Sequence, residues 1–512
     1  MKTEGLKRYE IIFLIVTSVL IMLIVSASSP IYPFNEWDDV NVFFTVGRNM
    51  LTGSVPYRDL YEQKGPLFLM IYALSALISR KTFIGIWIFE CLSACLFSVM
   101  SWKTVKLFVK DIPSYAIGII PVYVSSVFTI GMFNFGGNTE EFAISLLSVV
   151  LYIVLKMIVI GPDSFPDNKE ASVCGVIASV LFWSKYTLVG LIAAFAVFLI
   201  IRAVRRRLFQ RLGKAVLFFL TGFVSVSLIV FIYFAVNGSL KYLWDVYFYN
   251  NIFNYYSAEE LPGIYANPLF QFFIMPFLCL LGSCRGNPDY SIWLLLSFIG
   301  AFLCEKRYRK TIIAFFLFAF FVCVKLAFTR DTFIYYYGYP LAVFFIFGLI
   351  LICRIVTAAV KLKSDKADVV RLIFIVVFIV AGVNILIMCK NLYLLSEKRE
   401  ELTQFEFAKI IDQTDDPRIL TYDIIDGGFY LAAGVSPCNR YFTYMNNIEN
   451  NEEAVEEQQR LISEGYFDYI ITYDDQYDWE NYEMVAEGID PYCDFTKENY
   501  LIRFCLYQRV SD

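Results

Sequence analysis

Two short loops carry the residues best suited to chemistry. The first reads Asn35-Glu36-Trp37-Asp38-Asp39. After Val40 to Leu51 it continues as Thr52-Gly53-Ser54-Val55-Pro56-Tyr57-Arg58-Asp59 and Leu60-Tyr61-Glu62-Gln63-Lys64-Gly65-Pro66. The carboxylates of Glu36, Asp38 and Asp39 can supply a proton acceptor, and Arg58 and Lys64 can hold a phosphate. A bare cluster of this kind is more often a solvated acidic loop flanked by ordinary snorkelling cations. The second loop reads Phe135-Gly136-Gly137-Asn138-Thr139-Glu140-Glu141. Glu140 and Glu141 also suit the first turn of a helix, where the dipole favours carboxylates, with Thr139 as the cap. A catalytic and a structural role are compatible there.

Histidine is absent from the 512 residues. This excludes a Ser-His-Asp triad, a Cys-His pair and any His-ligated metal. A general base must then be a carboxylate, Lys, Tyr or Cys. The 12 cysteines lie mostly in apolar runs and include no C-x-x-C pair, so they read as small buried hydrophobes, with no metal site assigned to them. No cofactor is indicated, and a divalent cation is left open.

The elements that position these loops are membrane helices. Hydrophobic residues make up 58% of the chain and charged residues 18%, against about 25% charged in soluble domains. Ile11–Ser26 and Ala215–Val236 carry no charge, whereas the chain from Ser396 onward is dense in Asp and Glu. That acidic tail argues against nucleic acid as a partner.

Segments suited to spanning are Glu10–Ser28, Phe83–Trp102, Ile112–Gly131, Glu141–Gly161, Ala171–Trp183, Tyr186–Ile201 and Ala215–Val236. They are followed by Pro268–Gly282, Tyr290–Cys304, Thr311–Phe328, Ile334–Ile355 and Val370–Cys389. Pro66–Ile78 is apolar but short, and suits the interface.

Lys and Arg clusters at Lys2–Arg8, Lys103–Lys110, Arg202–Arg211 and Lys361–Lys366 mark the cytoplasmic side. Consistency with these clusters requires one segment of Pro268–Cys304 to be re-entrant or interfacial. That leaves about eleven crossings and places both the first loop and the tail outside. The expected architecture is an α-helical polytopic membrane domain over residues 1–391 and a small extracytoplasmic α/β domain over 392–512. Arg418–Tyr422, Tyr469–Tyr473, Arg440–Tyr444 and Leu501–Tyr507 are its expected strands, and Glu452–Ser463 its helix.

Three other features invite a functional reading, each beside a plainer one. Lys185 interrupts an apolar stretch, where snorkelling at a turn is the plainer account. Asn250 and Asn251 lie among tyrosines that suit a membrane-interface belt. Asp426-Gly427-Gly428 follows a predicted strand and permits a tight turn, but no phosphate-binding glycine motif is present.

The order of elements in the first loop resembles the opening loop of GT-C glycosyltransferases. The acidic cluster comes first, then a helix-like stretch ending Arg48-Asn49-Met50, then Gly-x-x-Pro-Tyr-Arg-Asp and Tyr-x-x-Lys-Gly-Pro. The resemblance is to the branch of protein O-mannosyltransferases and bacterial aminoarabinose transferases. Spacing back from Arg48 places Asp39 on that family's leading Asp, while Val40 occupies its Glu position. The second carboxylate is therefore open between Asp38 and Glu36.

The resemblance implies a GT-C-like fold and a second outer acidic residue, here Glu140 or Glu141. It implies a polyprenyl-phosphate sugar donor, with Lys64 and Arg58 or Arg330 on its phosphate. Asp39 would deprotonate an acceptor hydroxyl on a cell-envelope glycan, lipid or protein. A transporter or flippase of lipid-linked saccharides is the alternative. It calls for charges near mid-membrane and broken helices in paired halves, and this sequence displays neither.

Overall fold

The computed structural model describes residues 6–110, 112–254, 267–328, 334–361, 367–445, 451–473, 477–489 and 503–510. The chain is a multi-pass membrane protein. Seven helices among the described residues are long and apolar enough to cross a bilayer: Arg8–Val25 (α1), Ile84–Phe108, Thr139–Ile160, Tyr186–Arg206, Phe209–Val236, Arg309–Ala327 and Tyr336–Ala358. An eighth span results if Ile379–Met388 and Lys390–Ser396, bent by 75°, act as one.

Several other apolar segments fold as shorter pieces. Ile112–Gly131 becomes a 3₁₀ turn followed by the ten-residue helix Ile119–Phe128. The Pro268–Gly282 segment splits into Pro268–Phe273 and Met275–Gly286, with Pro276 at the start of the second piece. Proline lacks the N–H that would continue the first helix. Helix Pro66–Ile78 has 13 residues, or about 20 Å at 1.5 Å per residue, short of a ~30 Å hydrocarbon core.

The chain forms two compact units. One comprises Met1–Ser26, Ile88–Ile229 and Glu260–Leu392. It is an all-helical bundle tied by small residues and hydroxyl pairs. Ser18 and Ser98 hydroxyls lie 2.6 Å apart, as do those of Ser93 and Ser145. Trp183 Nε1 donates to Ser227 Oγ at 2.9 Å. A Cβ at Gly175 would sit 2.0 Å from the Phe219 carbonyl oxygen, and one at Gly222 would sit 2.1 Å from that of Ser172. Glycine thus permits backbone contact between helices Asn168–Ser184 and Phe209–Val236, which lipid-solvated helices exploit in place of a hydrophobic driving force. Aromatic contacts fill the interior, with Tyr123 against Phe97 at 5.5 Å and Trp293 at 5.1 Å.

The second unit comprises Ala27–Trp87, Val230–Glu259 and Tyr393–Asp512. Its elements include the short helices Asp38–Met50 (α2) and Pro66–Ile78 (α3) and a four-stranded sheet. The strands are Ile419–Thr421 (β1), Tyr469–Thr472 (β2), Tyr482–Ile489 (β3) and Arg503–Arg509 (β4), in the order β1-β2-β4-β3. β1 and β2 are parallel, and β4 runs antiparallel to both neighbours. Helix Glu452–Ser463 makes the crossover between the parallel pair, as such a connection requires.

One expected strand is absent from this sheet, and one strand was not expected. Arg440–Tyr444 forms no strand; its Phe442 carbonyl instead accepts from Thr421 N and Tyr430 Oη at 3.3 and 2.8 Å. The strand that sequence reading missed is β3, an edge strand whose residues after Tyr482 are largely exposed. With little of it buried, it carries no apolar alternation to read.

Candidate active site

Helix α2 begins at Asp38, so Asp38 and Asp39 occupy its first turn, where carboxylates complement the dipole. The Lys64 ammonium lies 3.8 Å from Asp39 Oδ2 and 5.2 Å from the centre of the Phe43 ring. Both charged side chains are partly exposed, Lys64 at 17% and Asp39 at 23%. The structure therefore brings together the Asp39 carboxylate and the Lys64 ammonium that the sequence singled out.

The loop carrying Lys64 is held from several sides. Tyr57, with left-handed backbone at φ 71°, is fully buried and donates its hydroxyl to the Lys64 carbonyl at 2.7 Å. Its ring stacks on Phe234 at 5.6 Å. Asn251 Nδ2 donates to the Gln63 carbonyl at 2.8 Å, and Asn250 Nδ2 to Tyr61 Oη at 3.1 Å. The asparagine pair of the aromatic loop is thus a clamp on the Lys64 segment. Gly65 then caps α3, with Pro66 at its first position, where the missing N–H costs nothing.

Glu62 is the residue that sequence reading passed over. It is buried at 2% exposure. Its Oε1 accepts from the backbone N–H groups of Gln63 and Lys64 at 2.8 and 3.0 Å. Its Oε2 has no hydrogen-bond partner among the described residues. Burial, with a contribution from the nearby Asp39 charge, raises its carboxyl to about 7 against the opposing pull of Lys64. Its only signal in the sequence was a carboxylate two residues before Lys64.

The other acidic residues of the loop contact other parts of the unit. Glu36 is buried and accepts from Tyr393 Oη at 3.0 Å. Asp38 faces the Gly427 turn, where a Cβ on Gly427 would lie 3.3 Å from its Oδ1. The next glycine, Gly428, has φ 101°, and a Cβ there would meet the Phe34 ring at 2.5 Å. Buried Asp426 organises this turn, with Oδ1 accepting from Gly428 N and Phe429 N at 2.9 Å and Oδ2 from Thr45 of α2 at 2.8 Å. Arg58 forks Asp59 with two bonds of 2.7 Å and donates to the Asn237 carbonyl at 2.9 Å. That guanidinium fork holds the Asp59 carboxyl below its ordinary range. Arg330 lies outside the described residues.

The all-helical unit carries a second acidic group. Helix Thr139–Ile160 is capped by Asn138, whose side chain accepts from Glu141 N at 2.8 Å, so Asn138 takes the role expected of Thr139. Glu140 is buried at 1% exposure, 2.5 Å from the Lys185 ammonium, and its other oxygen accepts from Thr139 Oγ1 at 2.6 Å. Lys185 sits 3.4 Å over the Tyr337 ring. Lys185 is therefore the counter-ion of a buried carboxylate and not a snorkelling cation. The space beside the pair measures about 20 Å³, room for one water. Glu141 is buried as well and accepts from Gly137 N at 2.8 Å. Buried Glu90, another residue that sequence reading missed, accepts from Ser26 Oγ at 2.5 Å. Among the described residues, no group of three or more His, Cys, Asp or Glu is placed to hold a metal ion.

Comparison with known proteins bears on this arrangement. Residues 63–234, about a third of the chain, match the family model described as dolichyl-phosphate-mannose-protein mannosyltransferase. No curated protein matches the sequence. The crystal structure of ArnT from Cupriavidus metallidurans bound to undecaprenyl phosphate is similar over 99% of this chain and 99% of that one, with a TM-score of 0.60 and 14% identity. The chain therefore shares the fold of this structure. The apo state of the same ArnT is similar over 98% of each chain, at a TM-score of 0.56 and 14% identity. Arabinofuranosyltransferase AftD from Mycobacteria is similar at a TM-score of 0.50 and 10% identity, over the whole of this chain and 40% of AftD. Asp39 precedes the segment matched by the family model, whereas Lys64, Glu140 and Lys185 fall inside it.

Proposed function

We propose that this protein is a membrane glycosyltransferase that moves a sugar from a polyprenyl-phosphate donor to an acceptor hydroxyl at the outer membrane face. The observation that carries this reading is the Asp39–Lys64 pair, 3.8 Å apart and partly exposed within a GT-C fold. The polyprenyl phosphate bound to ArnT and the mannosyltransferase family match support the donor class.

In this reading Asp39 takes the proton of the acceptor hydroxyl, whose oxygen attacks the anomeric carbon with inversion. The bond from that carbon to the phosphate oxygen breaks, and Lys64 stabilises the charge that develops on the departing phosphate. Glu62, buried beside Lys64, is the second carboxylate that Val40 does not provide. It fixes the Lys64 backbone through its two accepted hydrogen bonds. Arg58 organises the loop through Asp59.

The purified protein is to be offered a radiolabelled polyprenyl-phosphate sugar and, separately, the corresponding nucleotide sugar. Turnover is expected with the lipid-linked donor. Turnover of the nucleotide sugar alone would overturn the proposal. The outer placement follows from the positive-inside pattern. Ser54→Cys and Ser463→Cys, in a background without accessible native thiols, should both label in intact cells, and protection of either contradicts it.

A further inference from the structure

The end of α2 that lies away from Asp39 opens onto a second feature. A cavity of about 440 Å³ is lined by Arg48, Arg80, Lys81 and Arg399, with the hydroxyls of Thr52 and Ser436. Among the described residues, no carboxylate lines it. Asp39 and Arg48 are nine residues apart on one helix, about 13 Å along its axis, so this cavity is separate from the Asp39–Lys64 pair.

Two of the cations are fixed by the fold. Arg48 Nη2 donates to the carbonyls of Tyr430 and Val435 at 2.9 and 2.6 Å. Arg399 Nη2 donates to the Lys81 carbonyl at 3.3 Å, and its guanidinium lies 4.6 Å from the Phe405 ring centre. Among the described residues, the side chains of Arg80 and Lys81 form neither an ion pair nor a hydrogen bond, and both are exposed. Burial lowers the Arg48 pKa, Asp426 opposes that, and Arg80 lowers it further. The cavity lining therefore gathers like charge, with buried Asp426 acting on Arg48 from outside the lining.

We propose that this cavity binds a phosphate group distinct from that of the sugar donor. Guanidinium groups match phosphate oxygens in a bidentate manner. Three arginines, a lysine and two hydroxyls supply donors and no competing acceptor charge. The volume lies in the range of small-ligand sites. The neighbouring surface favours a phosphate presented at a bilayer. Leu74, Leu77 and Ile78 of α3 are exposed at 51%, 65% and 51%, and they run directly into Ser79-Arg80-Lys81. A helix end that is apolar on its open face and then cationic suits an acyl chain followed by an anionic headgroup.

The test uses the full-length protein in detergent and reads the ligand-dependent rise in unfolding temperature. The probes are dihexanoyl phosphatidic acid, dihexanoyl phosphatidylcholine and inorganic pyrophosphate. Arg80→Gln/Lys81→Gln is the variant, because neither side chain is used by the fold. All measurements are repeated in a Lys64→Ala background, which removes the donor-phosphate cation. Phosphatidic acid is expected to stabilise the wild type, phosphatidylcholine to have no effect, and the double variant to weaken the response about tenfold or more. The response should persist in the Lys64→Ala background. Stabilisation by pyrophosphate without phosphatidic acid, with the same loss in the variant, supports the phosphate site with a soluble ligand. Equal responses in wild type and double variant, no response to either phosphate, or loss of the response with Lys64→Ala alone would overturn it.

Discussion

Lys185 Nζ lies 2.5 Å from Glu140 Oε1 while its ammonium stands 3.4 Å over the Tyr337 ring. Residues 45 apart in sequence thereby neutralise a carboxylate that is almost wholly removed from solvent. Removing one partner of a buried pair leaves an uncompensated charge, at a cost of about 3–5 kcal/mol, whereas removing both charges together is often close to neutral. Lys185→Met should therefore lower the unfolding temperature far more than the double variant Glu140→Gln/Lys185→Met. Tryptophan fluorescence during heating in detergent checks this. Indistinguishable single and double variants would show that the pair contributes no coupling.

Asp39 and Asp38 share one helical turn but face different surroundings. Asp39 meets the Lys64 ammonium, whereas Asp38 faces the Gly427 turn. Asp39→Asn keeps size and hydrogen bonding but removes the proton acceptor, so turnover of a lipid-linked sugar should fall by about 10²–10⁴-fold. Lys64→Ala should lower kcat and raise KM together, since it touches both donor binding and the leaving group. Asp38→Asn should retain most of the activity. Detergent-extracted yield is measured alongside to exclude misfolding. Normal turnover by Asp39→Asn would remove it from the mechanism.

Glu62 sets a pH dependence of stability. Its carboxyl is raised from 4.5 to about 7 in the folded protein, so the folded state binds its proton more tightly than the unfolded chain. The associated stability is fully present below about pH 4.5 and declines as pH rises to about 7. Its size is on the order of 3 kcal/mol. Glu62→Gln keeps the acceptor for Gln63 N and Lys64 N but cannot ionise. The wild-type unfolding temperature should fall relative to that of Glu62→Gln between pH 4.5 and 7.5. Parallel profiles across that range would show that Glu62 does not titrate there.

Much of the fold was legible because it depends on local physics. Long uncharged runs such as Ala215–Val236 can satisfy their backbone groups in lipid only as helices, and Phe209–Val236 is one. The Glu452–Ser463 helix and the β1 and β2 strands were readable from apolar period. The interrupted segments were not, because Pro276 and the 3₁₀ turn at Ser114–Gly118 shorten helices that hydropathy alone reads as continuous.

The candidate site divides along the same line. Residue order by itself marked Asp39, Lys64, Glu140 and Glu141, since type and spacing are carried in the chain. Tertiary structure alone decided that Glu62 is the buried carboxylate beside Lys64 and that Lys185 belongs to Glu140. It also gathered Arg48, Arg80 and Arg399 around one cavity. Burial and through-space charge are properties of packing between distant segments. A side chain's neighbours fix its ionisation and its free valences, and no local pattern in the sequence encodes them.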